Sequence, residues 1–332
     1  MVTGAAGFIG SHVARRLMKS GFEVVALDDL SGGFRDNLPN DANFVAASIL
    51  DEEGLRNLFE KYRFQYVYHL AAYAAEGLSH FIRNFNYSNN VLGSVNLINL
   101  SVRHGIKRFV FTSSIAVYGS NQVPMHEGQQ PSPEDPYGIA KYAVELDLRA
   151  AHELFGLEYT VFRPHNVYGE YQNIGDRYRN VIGIFMNQLA LDQPLTIFGN
   201  GEQQRAFSYI DDVALPMVAC LDMPETACEV FNVGSDKPYT VNALAEAVMN
   251  AMGKRGEVRH LEARKEVVVA YSDHRKLRSH FKDLPAPVPL ENGLTKMAAW
   301  VKRQKPRKTE PFANLEIDKN LPPSWRDSVT RA

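Results

Sequence analysis

The 332-residue chain has little cysteine, no long apolar run and almost no net charge. Its two cysteines, Cys220 and Cys228, can form one bridge at most and stand in no CxxC spacing, which excludes a disulfide framework and a cysteine zinc site. Reduced thiols in a cytoplasmic protein are the expectation. No segment approaches the roughly 18 apolar residues that a membrane helix needs, and the chain enters a glycine loop rather than a basic and then apolar leader. With 36 basic against 38 acidic side chains, the net charge of -2 leaves no electrostatic footprint for nucleic acid. The local exception, KRQKPRK at 302–308, lacks an aromatic or helical recognition pattern and reads as a solvated linker. The ten histidines form no HExxH or paired ligand spacing, so no metal site is expected. No internal repeat or low-complexity tract is present.

What is there is a well-patterned globular chain, 45% hydrophobic and 22% charged. Short apolar runs (FEVVALDDL, NFVAASI, FQYVYHLAA, KRFVFTSS, EYTVFRPHNVYG) alternate with helix-length amphipathic stretches such as SHVARRLMKS and NVLGSVNLINLSVRHG. That alternation predicts an α/β fold, a doubly wound parallel sheet with helices on both faces. From about residue 170 the pattern breaks into loops, followed by two strand-like runs, FSYIDDV and EVFNVGS, and the helix TVNALAEAVMNAM. The division predicted is a nucleotide-binding domain of residues 1–165 plus about 207–234, and a smaller interleaved lobe of 166–206 plus about 235–303. Residues 304–332 are proline-rich and polar, and read as a surface tail anchored by Phe312 and Trp325.

The opening MVTGAAGFIGSHVARRL places Gly4, Gly7 and Gly10 where a strand should turn into a helix. Glycines there let backbone N–H groups approach a pyrophosphate at the positive end of the helix, since a Cβ would block contact. A tight turn alone would also account for GAAGFIG. However, the strand-like EVVALDD follows one helix later and ends in Asp28, which can accept both hydroxyls of an adenosine ribose and repel a 2′-phosphate. NAD is therefore favoured over NADP. Only Met1, Val2 and Thr3 precede the loop, a short run for the strand that should lead into it. The expectation is that an N-terminally extended chain melts higher and holds NAD more tightly.

Taken together, the GxxGxxG loop, YHLAA at 68–72, FTSS at 111–114, YGIAK at 137–141 and HNVYG at 165–169 resemble the extended short-chain dehydrogenase/reductase family, in its nucleotide-sugar epimerase branch. The similarity runs from Val2 to about residue 300. YGIAK sets Tyr137 and Lys141 four apart on one helix face, where an ammonium favours the phenolate of a neighbouring phenol, making Tyr137 a general base. By resemblance Ser114 is the third partner, bonding the reacting sugar hydroxyl. Where related dehydratases and decarboxylases place acidic residues after that serine, this chain has Ile115 and Ala116, which neither donate nor accept a proton. What the resemblance then implies is oxidation and re-reduction at C4 of a UDP-sugar, with NAD regenerated.

The resemblance also carries over contacts, residue by residue. The cofactor set comprises Gly4, Gly7, Phe8, Ile9, Gly10, Asp28, Ser48, Ile49, Leu70, Ala71, Ala72 and Asn90, with Tyr137 and Lys141. Ser48 stands where relatives often have an aspartate facing adenine, and Ala74 where they often have a lysine, so a weaker grip on NAD is expected. The substrate set is Ser114, Asn166, Asn180, Thr196, Phe198, Arg205, Arg264 and Ala270. Arg205 and Arg264 fall to the diphosphate and Phe198 to the uracil, though Phe198 also reads as ordinary core. In relatives, a residue three before the aspartate of the late D-x-x-K string limits the sugar's 2-substituent. Anchored on Asp273 this is Ala270, or Tyr271 if the gap lies later. The leading activity is a UDP-glucose/UDP-galactose 4-epimerase, with N-acetylated sugars admitted. The alternatives are a UDP-glucuronate 4-epimerase, whose GPWGRP-like string is absent here, and a catalytically silent NAD sensor, which would lack Tyr137 and Lys141. Most relatives dimerise through two helices per subunit, here NVLGSVNLINLSVRHG and YAVELDLRAAHELFG, so a homodimer is expected.

Overall fold

Apolar runs too short for helices and flanked by amphipathic stretches have one stable arrangement, strands buried on both faces beneath helical layers. The computed structural model, which describes residues 1–120, 122–176, 178–263, 267–305, 312–326 and 329–331, has that arrangement. Its main sheet comprises β1 (Val2–Thr3), β2 (Val25–Asp28), β3 (Asn43–Ala46), β4 (Tyr66–His69), β5 (Arg108–Thr112), β6 (Tyr159–Pro164) and β7 (Glu229–Val233). All seven are parallel, in the order β7-β6-β5-β4-β1-β2-β3. The strand order reverses between β1 and β4, and a crevice opens outside the carboxyl ends at such a switch point.

Although it has two residues, β1 is held on both sides: Val2 pairs with Ala26 and Tyr68, and Thr3 with Leu27 and His69. The amine of Met1 donates to the Tyr66 carbonyl at 2.8 Å, extending the ladder by one link. Helix α1 (Phe8–Lys19) starts directly at Gly7, and α2 (Glu52–Tyr62) is capped by Asp51, which accepts from Gly54 N at 3.0 Å. A π-helical turn at Ser88–Leu92 leads into α3 (Gly93–Arg103). The 20-residue α4 (Pro136–Phe155) begins with Pro136 behind its cap Asp135 and ends at Gly156, whose φ of 74° closes the last turn.

The lobe is assembled from small sheets. Leu195–Phe198 pairs with Val258–Leu261, and Gln204–Ala206 lies between Pro238–Thr240 and Val269–Ala270. Helices Val181–Ala190, Val241–Met252 and Leu290–Val301 pack behind them, and the core they share is continuous with one face of the main sheet. Two expectations change. FSYIDDV is a strand only at Ser208–Tyr209; from Ile210 it is helix, because Asp211 and Asp212 sit in a first turn where the helix dipole favours acidic side chains. The C-terminal segment is also more than a surface tail. Phe312–Leu315 pairs in parallel with Val329–Arg331, and Leu315, Leu321 and Trp325 are buried with Ala75, Leu78 and Ile82 in a small core of their own. Part of KRQKPRK, residues 306–308, lies outside the described residues. No helix among the described residues is long and apolar enough to cross a membrane.

Candidate active site

A cavity of about 620 Å³ runs from the glycine loop, across the carboxyl ends of the sheet, to the lobe. At the first end the backbone itself is the wall. Gly4 has a φ of +64° and a Cβ there would lie 2.6 Å from Ala71 N, while one at Gly10 would lie 2.0 Å from the Gly4 carbonyl oxygen. The loop thus packs on the end of β4 and folds on itself with no space for side chains, leaving α1 open at its N-terminus to an anion. Asp28, buried at the end of β2, accepts from Ala6 N at 3.0 Å and Leu30 N at 2.8 Å. Burial raises its carboxyl above the ordinary range, and the backbone donors oppose that shift.

Phe8, Ile9, Ile49, Leu70, Ala71 and Ala72 line the same end. Two expected members are displaced. Asn90 is buried behind the wall, where its side chain accepts from Tyr73 N at 2.9 Å and donates to Tyr73 O at 3.1 Å and Asn86 Oδ1 at 2.8 Å. With both ends of its amide used by protein, it shapes the Tyr73 segment rather than the cavity surface. Ser48 accepts from Leu50 N at 3.2 Å and stands just outside the lining, between Ala47 and Ile49, which do line it.

In the middle of the cavity are Ser114, Tyr137 and Lys141. Ser114 follows β5 and accepts from Ala116 N at 3.1 Å; its hydroxyl is close enough to the Tyr137 phenol to favour the phenolate. One turn along α4, Lys141 Nζ donates to the Thr112 carbonyl at 2.8 Å and lies 5.9 Å from the centre of the Tyr137 ring. Sequence spacing has this ammonium favouring the phenolate, and the structure adds the effect of burial. Burial is the largest influence on both: it lifts Tyr137 above the ordinary phenol range and pushes Lys141 down to about 7, against the pull of Glu145. Glu145 belongs to a buried group that sequence spacing does not reveal. It accepts from Ser113 Oγ at 2.5 Å and from Arg163 Nε at 2.9 Å, tying α4 to β5 and β6.

At the lobe end, Asn166, Asn180, Thr196, Phe198, Arg205 and Ala270 all line the cavity. Asn166, at φ +40°, donates to Ala206 O at 3.0 Å, and Asn180, at φ +57°, opens helix Val181–Ala190. Thr196 accepts from Gln188 Nε2 at 2.9 Å. The Arg205 guanidinium donates to Val268 O at 3.1 Å and also to Val267 O, so its position is set by the neighbouring segment. Ala270 lies opposite Arg205 in register and lines the cavity, whereas Tyr271 is not among the lining residues. Arg264 lies outside the described residues. Sequence reasoning missed Tyr73, Gln172, Tyr178 and Arg179, all of which line the cavity. They come from irregular segments with no motif; for Gln172, Tyr178 and Arg179 the run of polar and aromatic residues in EYQNIGDRYRN was the available signal. Two buried lining atoms, Thr112 Oγ1 and Gln172 Oε1, have no protein partner among the described residues, as expected of a wall that meets a polar ligand.

The family model for the NAD dependent epimerase/dehydratase family matches residues 1–234. The structure is similar to that of UDP-glucose 4-epimerase from Thermotoga maritima, solved with UDP-glucose, with a TM-score of 0.87 and 36% identity over 91% of this chain and 98% of that one. It is likewise similar to UDP-glucose 4-epimerase from Thermus thermophilus in complex with NAD, with a TM-score of 0.86 and 30% identity over 91% and 98% of the two chains. A UDP-glucuronate 4-epimerase from Thermodesulfobacterium geofontis is 31% identical over 97% of this chain and 98% of its own length.

Proposed function

The chain belongs to the NAD dependent epimerase/dehydratase family, and on that premise we propose that it inverts C4 of a UDP-hexose through a 4-keto sugar. The observation that carries this reading is one continuous cavity with three parts in order: a phosphate-accepting glycine loop with Asp28, the Ser114–Tyr137–Lys141 group, and a lobe wall containing Arg205 and Asn166. The loop and Asp28 fit NAD, since no Cβ obstructs the backbone and a carboxylate at the end of β2 suits ribose hydroxyls. When bound, NAD supplies the hydride acceptor and donor.

The remaining chemistry belongs to the side chains. Ser114 bonds the C4 hydroxyl and holds it against Tyr137, which takes the proton from that oxygen on oxidation and gives it back on reduction. A buried phenol resists ionisation. Lys141, four residues on and fixed by the Thr112 carbonyl, stabilises the phenolate while it carries its own proton, a form that burial limits to below about pH 7. Ile115 and Ala116 follow Ser114 and offer no proton for elimination, so the keto sugar is returned rather than dehydrated. Arg205 holds the diphosphate of the nucleotide from the lobe, leaving the hexose free to present either face.

The domain division that fits this use is 1–165 with about 207–234 for the cofactor, the remainder up to about 303 for the sugar nucleotide, and 304–332 as the C-terminal tail. Two unpaired cysteines accord with a reducing, cytoplasmic setting. A homodimer is supported by exposed apolar side chains at the surface of the helical pair: Leu92 just before α3, and Ile139, Leu146, Leu154 and Phe155 on α4. Incubation with UDP-galactose should yield UDP-glucose without net NADH, read by chromatography of the nucleotides. Turnover of UDP-glucuronate alone would assign the chain to the activity named for its T. geofontis relative.

A further inference from the structure

Five cationic or imidazole side chains line the cavity among the described residues: His80, Lys141, His165, Arg179 and Arg205. Lys141 is engaged beneath the tyrosine, and Arg205 belongs to the lobe wall. Only Arg179 reaches the glycine-loop end. A Cβ built on Gly32 would lie 3.6 Å from Arg179 Nη2 and 4.0 Å from Nη1, and one on the adjacent Gly33 would lie 2.6 Å from Gly7 N. The guanidinium therefore stands beside the loop that presents its N–H groups to a diphosphate. It also acts electrostatically on the Tyr137 phenol.

Its orientation is imposed by the protein. Nε donates to Asp176 Oδ2 at 2.6 Å and Nη2 reaches the same oxygen, while the other carboxylate oxygen is occupied by Tyr178 N at 2.8 Å. The guanidinium also lies over the Tyr73 ring, 5.0 Å from its centre. Tyr73 is in turn packed against Phe312 of the C-terminal segment at 5.3 Å. Among the described residues no protein acceptor takes a bond from Nη1. A dinucleotide's diphosphate brings two negative charges to a helix end that carries roughly half a positive charge, and α1 has no basic side chain in its first turn. A planar, pre-oriented guanidinium is the group that suits such an anion.

We propose that Arg179 is a clamp on the diphosphate of NAD, supplied by the lobe side of the cleft and braced through Tyr73 by the C-terminal segment. It provides the positive charge that Ala74, at the end of the Tyr73 segment, cannot. Because the clamp lies on the segment leading to Asn180, holding the cofactor and shaping the sugar-nucleotide wall become parts of one structure.

The inference rests on NAD occupying this cleft, and the test separates the two. Arg179→Gln and Arg179→Lys are compared with the wild-type chain by calorimetric titration with NAD, ADP-ribose and adenosine after removal of bound nucleotide, alongside melting temperatures. The expected result is a ~10- to 100-fold loss of affinity for both diphosphate ligands in Arg179→Gln, the range of one or two charge-assisted hydrogen bonds. Adenosine binding should be unchanged and Arg179→Lys should recover part of the loss. Equal losses for adenosine and ADP-ribose would make Arg179 merely a fold-holding residue and overturn the proposal. Unchanged ADP-ribose affinity with a raised KM for the UDP-sugar would assign the guanidinium to the substrate and overturn it as well. A wild-type chain that binds none of the three would instead remove NAD from the cleft altogether.

Discussion

At the cofactor end of the cavity the decisive surface is backbone: Gly4 and Gly10 leave no volume for a Cβ, and Asp28 is pinned by two amides. At the lobe end it is side chains held by other segments' carbonyls, Arg205 by Val267 and Val268 and Asn166 by Ala206. A wall of backbone tolerates almost no substitution and recognises what every dinucleotide shares. A wall of side chains can be altered one residue at a time, so selectivity can change there without disturbing the backbone wall.

The sharpest way to test that contrast is at the centre, where both ends meet. Tyr137→Phe should keep fold and NAD content yet lose ~100-fold or more in rate, the usual scale for removing a general acid-base group. Activity within a few-fold of wild type would remove Tyr137 from its role. At the cofactor end, apo protein should be reconstituted by NAD and not by NADP, because the buried Asp28 carboxylate meets the 2′-phosphate. Preferential uptake of NADP, measured by nucleotide released on denaturation, would contradict this. At the lobe end, Arg205→Ala should raise KM for the UDP-sugar ~10-fold with NAD content unchanged. Loss of NAD in that variant would erase the distinction between the two ends.

A pH experiment addresses the buried lysine that links them. Burial lowers Lys141 from 10.5 to about 7, so between those values the unfolded chain carries a proton that the folded chain has released. Stability therefore gains from rising pH across that window and lacks the gain below about 7. Denaturant midpoints from pH 7 to 9 should show a rise that Lys141→Met flattens; an identical slope in the variant would mean that Lys141 stays charged. The smallest effect is expected at Ala270. The wild type should epimerise UDP-N-acetylgalactosamine as well as UDP-galactose, and Ala270→Tyr should reduce the N-acetylated reaction selectively by several-fold, as roughly 1–3 kcal/mol of pocket sterics allows. Retention of both activities in Ala270→Tyr would place the size limit elsewhere.

Much of the architecture was legible because it depends on short-range rules. Apolar runs such as RFVFT and YTVFRP become fully buried strands, and Thr240 and Asp135 cap the helices they precede. The glycine spacing and the YxxxK spacing are likewise local, so Gly4, Gly7, Gly10, Tyr137 and Lys141 could be placed in the cavity by counting residues. The misreadings have a common cause. FSYIDDV is apolar enough for a strand, but its acidic pair starts a helix; and the C-terminal segment, polar enough to read as a surface tail, forms strands and a small core, while its expected anchors Phe312 and Trp325 do pack, on Tyr73, Phe81, Phe85 and Tyr178.

The sequence by itself determined the parallel sheet and the glycine loop, which follow from periodicity and from a motif a few residues long, and it set Tyr137 and Lys141 on one helix face; Ser114 joined them through the family resemblance. Tertiary structure alone decided three other things. It took Asn90 out of the lining by using up its amide, made burial rather than the neighbouring ammonium the main influence on Tyr137, and brought Arg179 to the glycine loop. Desolvation and the meeting of distant segments depend on what surrounds a side chain in space, and no local spacing records them.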